Sequence, residues 1–200
     1  YIHHLRQRRK SIWLAQREGR AKDGNDVTQP GVLKMLTIDS ENFFESIKQL
    51  NICPVSISYE YDPCDYLKAR EMQLKRDKPN WKKSRKDDLV SMSVGIKEQK
   101  GRVIYRLTPS INHEIDEALA QNPELLHLSR NEQIQFVCNL IDRHIHAAYE
   151  IYERGEQFDR YIEGQIAKIN LSNKDEDFLR EKLYEMYNNQ VKNYEKTQLV

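Results

Sequence analysis

A stretch rich in cations and glycine follows a short apolar run near the start of the chain. Arg17, Arg20 and Lys22 lie close together, and Gly19 and Gly24 alternate with them. Glycine lets a backbone turn sharply and approach a ligand closely. Guanidinium groups and free backbone N–H groups together bind phosphate. The residue types therefore favour an anion-binding loop, and the same stretch also fits an ordinary solvated loop at the end of a strand.

Regular elements are predicted on both sides of this loop. The apolar residues 12–15 predict a buried strand, and residues 51–60, which are β-branched and apolar with Pro54 near their start, predict another. An amphipathic helix predicted over residues 42–50 lies between them, with an apolar stripe of Phe43, Phe44, Ile47 and Leu50. This order of strand, loop, helix and strand predicts a parallel crossover, in which ligands bind at the carboxyl ends of the strands.

Two blocks within this unit resemble a known family. Glu18-Gly19-Arg20-Ala21-Lys22 and Cys53-Pro54-Val55-Ser56-Ile57 are similar, in this order, to the third and fourth sequence blocks of the glycerolipid acyltransferases. In that family a Glu-Gly-Thr-Arg-Ser-like block follows a strand, and a Val-Pro-Val/Ile-x-Ile strand comes later. Ser58-Tyr59-Glu60 resembles the glycerol-3-phosphate acyltransferase branch. The family's catalytic His-x-x-x-x-Asp block is absent here, so we expect it upstream of Tyr1 in a longer protein.

The resemblance implies an α/β fold, with part of an acyltransferase-type sheet flanked by helices over residues 1–110 and a helical extension over residues 111–200. It implies an enzyme of phospholipid synthesis, a glycerolipid O-acyltransferase. Such an enzyme moves a fatty acyl group from acyl-CoA or acyl carrier protein to a phosphorylated glycerol or lysoglycerol acceptor. A histidine oriented by the aspartate deprotonates the acceptor hydroxyl, which attacks the thioester.

The resemblance also assigns roles to residues of this chain. Pro54 and Val55 would shape the strand that lines the substrate pocket. Arg20 would be the principal phosphate ligand, and Glu18 would order the loop by accepting N–H bonds. No catalytic residue, metal ligand or resident cofactor is expected in this chain. The expected phosphate-binding set is Arg17, Glu18, Gly19, Arg20 and Lys22.

The net charge of +1 conceals an asymmetry, since residues 1–102 carry +7 and residues 103–200 carry −6. A basic half suits phosphate-bearing ligands, an anionic membrane surface or nucleic acid. Trp81 lies among the cations of residues 75–86, which is typical of a contact with a membrane interface or with nucleotide phosphates. A surface loop whose Trp81 packs on the core explains the same pattern.

A second function class therefore stays open beside the enzyme: a basic, helix-rich binding module for nucleic acid or a protein partner. The acyltransferase interpretation instead expects no nucleic-acid partner. It expects a cytoplasmic protein in peripheral contact with the inner face of the membrane. No apolar run is long enough to span a bilayer. Cys53, Cys64 and Cys138 form no C-x-x-C pair, which favours reduced thiols.

The remaining pattern is mostly helical. Ser129 and Glu132 form a predicted capping box that begins a helix expected to reach about Arg154. His146 and Glu150 lie one helical turn apart, but two residues are too few for a metal site. Other helices are predicted at 31–36, 65–78, 87–99, 113–121, 158–169 and from about Ser172, with a strand at 101–109.

Overall fold

The structure is a computed structural model that describes residues 2, 4, 8–16, 25–38 and 40–199. Residues 25–38 and 40–199 contain eight helices and two strands. In chain order these are α1 (Pro30–Leu36), α2 (Phe43–Leu50), β1 (Val55–Tyr59), α3 (Asp65–Asp77), α4 (Arg85–Lys97), β2 (Val103–Leu107), α5 (Asn112–Gln121), α6 (Arg130–Ala147), α7 (Glu156–Lys168) and α8 (Glu176–Gln198). A 3₁₀ helix, Pro123–His127, precedes α6. The coarse prediction of a helix-rich α/β chain is confirmed.

The strand predicted at residues 12–15 is wrong. These residues have no regular secondary structure, and the Trp13 side chain is 69% exposed. A strand is stable only when a neighbouring strand pairs with its backbone N–H and C=O groups. Within the described residues the one sheet consists of β1 and β2, so this apolar run has no ladder to join.

The sheet formed by β1 and β2 is antiparallel. The predicted parallel crossover is wrong because residues 12–15, its first strand, form no strand. Glu60 N donates to Arg102 O at 2.9 Å near one end of the ladder, and Thr108 N donates to Pro54 O at 2.9 Å at the other. Both predicted strand segments, 51–60 and 101–109, do contain strands. The buried side of β1 carries Ser56 and Ser58 rather than the apolar side chains that the strand prediction placed in the core.

The described residues divide into two compact units. Each unit contains residues from before and from after residue 110, where the sequence predicted a domain boundary. Unit 1 includes Asp26–Ser56 and Arg106–Ala148, and unit 2 includes Ile57–Tyr105 and 149–199. The chain passes from one unit to the other within each strand and again directly after α6.

Unit 1 is built around α6. Helices α1 and α2 both pack on α6, and α2 also packs on α5. The predicted stripe of α2 is largely confirmed, because Phe43, Phe44 and Ile47 are buried and Leu50 is half-buried. The predicted capping box is present as well: Ser129 accepts from Glu132 N, and the Glu132 carboxylate accepts from Ser129 N. Local capping and one apolar stripe per helix thus explain this unit.

Unit 2 packs α3, α7 and α8 against one another. Its buried apolar cluster contains Ala69, Phe158, Ile162, Ile166, Ile169, Leu179, Leu183, Met186 and Tyr187. Helix α8 begins later than predicted, because Asp175 is its N-cap and accepts from Phe178 N at 3.0 Å. A carboxylate at that position satisfies an otherwise unpaired N–H and interacts favourably with the helix dipole.

Helix α6 ends at Ala147. Its apolar periodicity had predicted a longer helix that reaches about Arg154. Beyond the helix, Glu150 N donates to the Ser58 hydroxyl at 2.9 Å instead of to a carbonyl one turn earlier. A tertiary hydrogen bond to β1 thus replaces the helical one. Sequence periodicity carries no information about such a partner.

Gly101 makes the turn that leads into β2. Its φ of +62° lies in the left-handed region, which glycine tolerates best. A Cβ at this position would lie 2.7 Å from Glu60 Oε2 and 2.9 Å from Glu60 Cβ. The Glu60 carboxylate is fixed there, because Arg102 N donates to it at 2.9 Å and the Arg102 guanidinium binds it too. These bonds hold the pKa of Glu60 below its ordinary value.

We expect Gly101→Ala to destabilise the chain by more than about 1 kcal/mol, because the substitution combines left-handed strain with a steric clash. The matched control is Gly164→Ala in α7, where a Cβ has nothing within 4 Å. This control should be neutral or stabilising by about 0.5–1 kcal/mol. Urea denaturation measures both, and equal effects would contradict the proposed role of Gly101.

Candidate functional site

The predicted phosphate-binding residues Arg17, Glu18, Gly19, Arg20 and Lys22 lie outside the described residues. The described flanks of this loop do define its base. Gln29 N donates to Gln16 O at 3.0 Å, so the chain leaves and returns at one point. This bond fixes where the loop begins and ends.

A buried hydrogen-bond pair anchors the C-terminal flank of the loop to α6. Thr28 donates its backbone N–H at 2.8 Å and its hydroxyl at 2.5 Å to the same oxygen of Asp142. Thr28 is 2% exposed and Asp142 is 8% exposed. Burial raises the pKa of Asp142, while the two bonds from Thr28 oppose that rise. A buried carboxylate with these donors holds the flank in one position.

His146 adds a second anchor on the same side of α6. Its Nε2 lies 2.7 Å from the carbonyl oxygen of Asp26. A carbonyl only accepts, so Nε2 carries the proton in this contact. Asp142 and His146 are one helical turn apart and therefore share a face of α6.

The second block of the resemblance is also connected to α6, through Thr108, which directly follows β2. Pro54, which is buried and immediately precedes β1, accepts from Thr108 N at 2.9 Å and from the Thr108 hydroxyl at 3.0 Å. The Thr108 hydroxyl lies 3.2 Å from Nδ1 of His144. His144 lies two residues from both Asp142 and His146, about 200° around the helix axis. The loop base and the start of β1 thus contact different sides of one helix.

Thr108, His144 and Glu114 form a line of hydroxyl, imidazole and carboxylate that the sequence did not predict. Nε2 of His144 contacts the Glu114 carboxylate, which also pairs with Arg143. The order is that of a nucleophilic triad. The hydroxyl proton, however, has the Pro54 carbonyl as an acceptor, and the His144 side chain is only 11% exposed. We therefore assign this line a structural role, joining β1, β2 and α5 to α6.

A groove of about 320 Å³ lies in unit 2 beside Trp81. Its walls include Tyr66, Leu67 and Val90, and three cations border it. Each of these cations has an acidic neighbour: Arg70 lies 3.9 Å from Asp87, Lys83 lies 2.8 Å from Asp88, and Lys168 lies 3.6 Å from Glu98. Trp81 is half-buried. The paired cations leave little unopposed positive charge for a polyanion.

The most deeply buried carboxylate in unit 2 is that of Asp65, at the start of α3. It is 0% exposed and accepts from the hydroxyls of Tyr161 at 2.7 Å and Tyr187 at 2.9 Å. Burial raises the pKa of Asp65 to about 6, and the bond from Tyr161 opposes the rise. The cavity of about 20 Å³ lined by Tyr187 has room for a single water. With no access for a substrate, this cluster stabilises the packing of α3, α7 and α8.

The part of the chain that the structure describes contains no group of three or more metal-ligating side chains. In the same residues no helix has the length and apolar character needed to cross a membrane. Comparisons with models of known protein families, with curated proteins and with solved structures found no significant match. Function is therefore inferred from the residues and their contacts.

We expect Thr28→Val to destabilise unit 1 by about 1–3 kcal/mol, because it removes one of the two donors to the buried Asp142 carboxylate. The shape of the side chain is preserved. Thr197→Val is the control, since its hydroxyl makes only local bonds within α8, donating to Tyr194 O and accepting from Gln198 Nε2, and its loss should change stability by less than about 0.5 kcal/mol. Urea denaturation would contradict the anchoring role if the two variants behaved alike.

The buried Asp65 predicts a pH dependence of stability. Its pKa is raised from 3.8 to about 6, so the folded state retains a proton that the unfolded state releases. The free energy of unfolding should therefore fall as the pH rises from about 4 to about 6, by about 3 kcal/mol from this group.

Asp65→Asn should remove this contribution, which is measured as the wild-type minus variant free energy of unfolding across that pH range. Tyr161→Phe is the matched variant, and it should raise the pKa of Asp65 further instead of removing its titration. It removes a donor to the carboxylate, so the fall should extend to higher pH. A pH-independent difference between wild type and Asp65→Asn would disprove the assignment.

Proposed function

We propose that this chain belongs to a glycerolipid O-acyltransferase of phospholipid synthesis. The enzyme would transfer a fatty acyl group from acyl-CoA or acyl carrier protein to a phosphorylated glycerol or lysoglycerol acceptor. The finer fold assignment, part of an acyltransferase-type sheet, belongs to this proposal. So do a cytoplasmic location and a peripheral contact with the inner face of the membrane.

One observation supports the proposal most: the described flank of the first sequence block and the start of the second are held by the same helix, on different sides of it. Asp142 and His146 hold the flank of the Gly-containing loop, and His144 contacts Thr108, which binds Pro54. The segments that bind and surround the acceptor in the resembling family would thus be fixed to one rigid element. Fixed positioning is the contribution that a phosphate-binding loop makes to such a reaction.

In the proposed mechanism the loop binds the acceptor rather than reacting with it. Arg20, with Gly19 and Arg17 or Lys22 beside it, would bind the phosphate through charge-assisted hydrogen bonds. Glu18 would order the loop, and Pro54 and Val55 would shape the pocket. The base that deprotonates the acceptor hydroxyl would be a His/Asp pair outside this sequence. General-base catalysis of this kind contributes about 10²–10⁴-fold to the rate.

The Trp81 groove itself gives little support to a nucleic-acid-binding module, the competing function class. Nucleic-acid affinity depends on cations that neutralise backbone phosphates. The three cations that border the Trp81 groove are each within 4.0 Å of a carboxylate. Binding a polyanion there would require those ion pairs to be broken.

The test is acyl transfer by the whole polypeptide that the gene encodes, assayed with a phosphorylated acceptor. Arg20→Ala should raise the KM for the acceptor by about ten- to a hundredfold, because a charge-assisted bond contributes about 1.5–3 kcal/mol. The kcat should change little, since the loop binds the phosphate equally in ground and transition states.

The matched control is Arg160→Ala, which removes an arginine with a 73% exposed side chain from α7. Its KM should equal that of the wild type. A KM unchanged by Arg20→Ala would remove Arg20 from the site, and no acyl transfer by the wild-type polypeptide would overturn the proposed function.

A further inference from the structure

Helix α4 exposes three large apolar side chains on one face. Leu89 is 65% exposed, Met92 is 56% exposed and Ile96 is 78% exposed. These residues follow the spacing i, i+3 and i+7, which places them on one side of a helix. We refer to Leu89, Met92 and Ile96 as the α4 stripe.

The inward side of α4 is the less apolar side. Asp87, Ser91, Val94 and Gly95 are half-buried, and the helix has no fully buried residue. The Ser91 hydroxyl donates to Asp87 O at 2.9 Å, and Ser91 O accepts from the Cys64 thiol. A surface helix normally turns its apolar face to the core. The exposed apolar face makes α4 a candidate contact surface.

The charge around the stripe is positive. Residues 78–100 carry seven Lys/Arg and three Asp/Glu, a net charge of +4. Two of the acids are already engaged, since Asp87 caps α4 through Ser84 and Asp88 pairs with Lys83 at 2.8 Å. Lys82, Arg85 and Lys86 are exposed and have no ion pair among the described residues.

We propose that the α4 stripe inserts into the surface of an anionic lipid bilayer, with the neighbouring cations binding the lipid headgroups. Apolar side chains beside lysine and arginine are the composition of helices that lie in the membrane interface. Each cation near an anionic leaflet adds to the attraction, and salt screens that contribution. This inference deepens the peripheral membrane contact of the proposed function by naming the surface that makes it.

A bilayer fits the stripe better than a protein groove does. The stripe is about 10 Å long and one residue wide. A stable protein interface takes about 20–30 residues from each side. A bilayer instead accepts a narrow apolar stripe without shape complementarity, and its negative headgroups complement the cations of residues 78–100.

The experiment is co-sedimentation of the full chain with vesicles. Wild type should bind vesicles of phosphatidylcholine containing about half phosphatidylglycerol, bind pure phosphatidylcholine much less, and dissociate as salt is raised. The triple variant Leu89→Ser, Met92→Ser and Ile96→Ser should bind the anionic vesicles at least about tenfold more weakly.

The matched control replaces three apolar residues of similar exposure in unit 1, namely Met35→Ser, Ile38→Ser and Leu126→Ser, and should bind like wild type. A second variant, Lys82→Glu with Lys86→Glu, leaves the stripe intact and should lose the preference for anionic vesicles. Circular dichroism verifies the fold of each variant. The second variant decides the matter if the stripe variant does not fold.

Failure of wild type to sediment with anionic vesicles would overturn the inference, as would equal binding by wild type and both test variants. Self-association of wild type that the stripe variant abolishes, without vesicle binding, would assign the stripe to a second copy and also overturn it. Sedimentation does not measure acyl transfer, so a failure to bind vesicles would not contradict acyl transfer by the whole polypeptide. A lack of acyl transfer would equally leave the sedimentation result standing.

Discussion

The antiparallel pairing of β1 with β2 is the constraint on which the rest of the architecture depends. One end of the ladder brings Thr108 to Pro54, and the other brings Arg102 to Glu60. Because the register is fixed, the Thr108 hydroxyl lies within reach of His144, and the turn at Gly101 must adopt a positive φ. The start of β1 and the turn before β2 thus follow from one pattern of backbone hydrogen bonds.

Two buried carboxylates show how this chain uses polar groups in its interior. Asp142 accepts two hydrogen bonds from Thr28, and Asp65 accepts from two tyrosine hydroxyls. Burial raises the pKa of both groups, since removing a carboxylate from water disfavours its charged form. Asp142 fixes a loop flank to a helix, whereas Asp65 joins three helices. Their shared chemistry thus supports different parts of the structure, and only the first lies beside the proposed site.

Helix α4 differs from the other helices in what holds it in place. Its capping box is complete, so local hydrogen bonds define where it begins. The side chains that α4 half-buries inside unit 2 are small or polar, while its larger apolar residues are exposed. A helix specified by its own caps but not by burial can present an apolar surface without losing its fold. This property is what a peripheral membrane surface requires.

The sequence by itself determined most elements and several of their ends. The capping box at Ser129, the stripe of Phe43, Phe44 and Ile47, and the strands after Pro54 and Gly101 follow from local propensity and periodicity, which act between near neighbours. Sequence periodicity also pointed to a strand at residues 12–15 and to a helix reaching Arg154, and both were wrong. Each depended on a distant partner: a neighbouring strand in the first case, and Ser58 in the second.

Tertiary structure alone decided which residues meet. The pairing of β1 with β2, the bond from Thr28 to Asp142 and the contact of His144 with Thr108 join positions far apart in the chain. No local pattern encodes these contacts, because they arise when helices and strands compete to bury their surfaces and satisfy their polar groups. The residue types from Arg17 to Lys22 predict a loop, whereas the bonds from its flanking residues Asp26 and Thr28 to α6 are visible only in the folded chain.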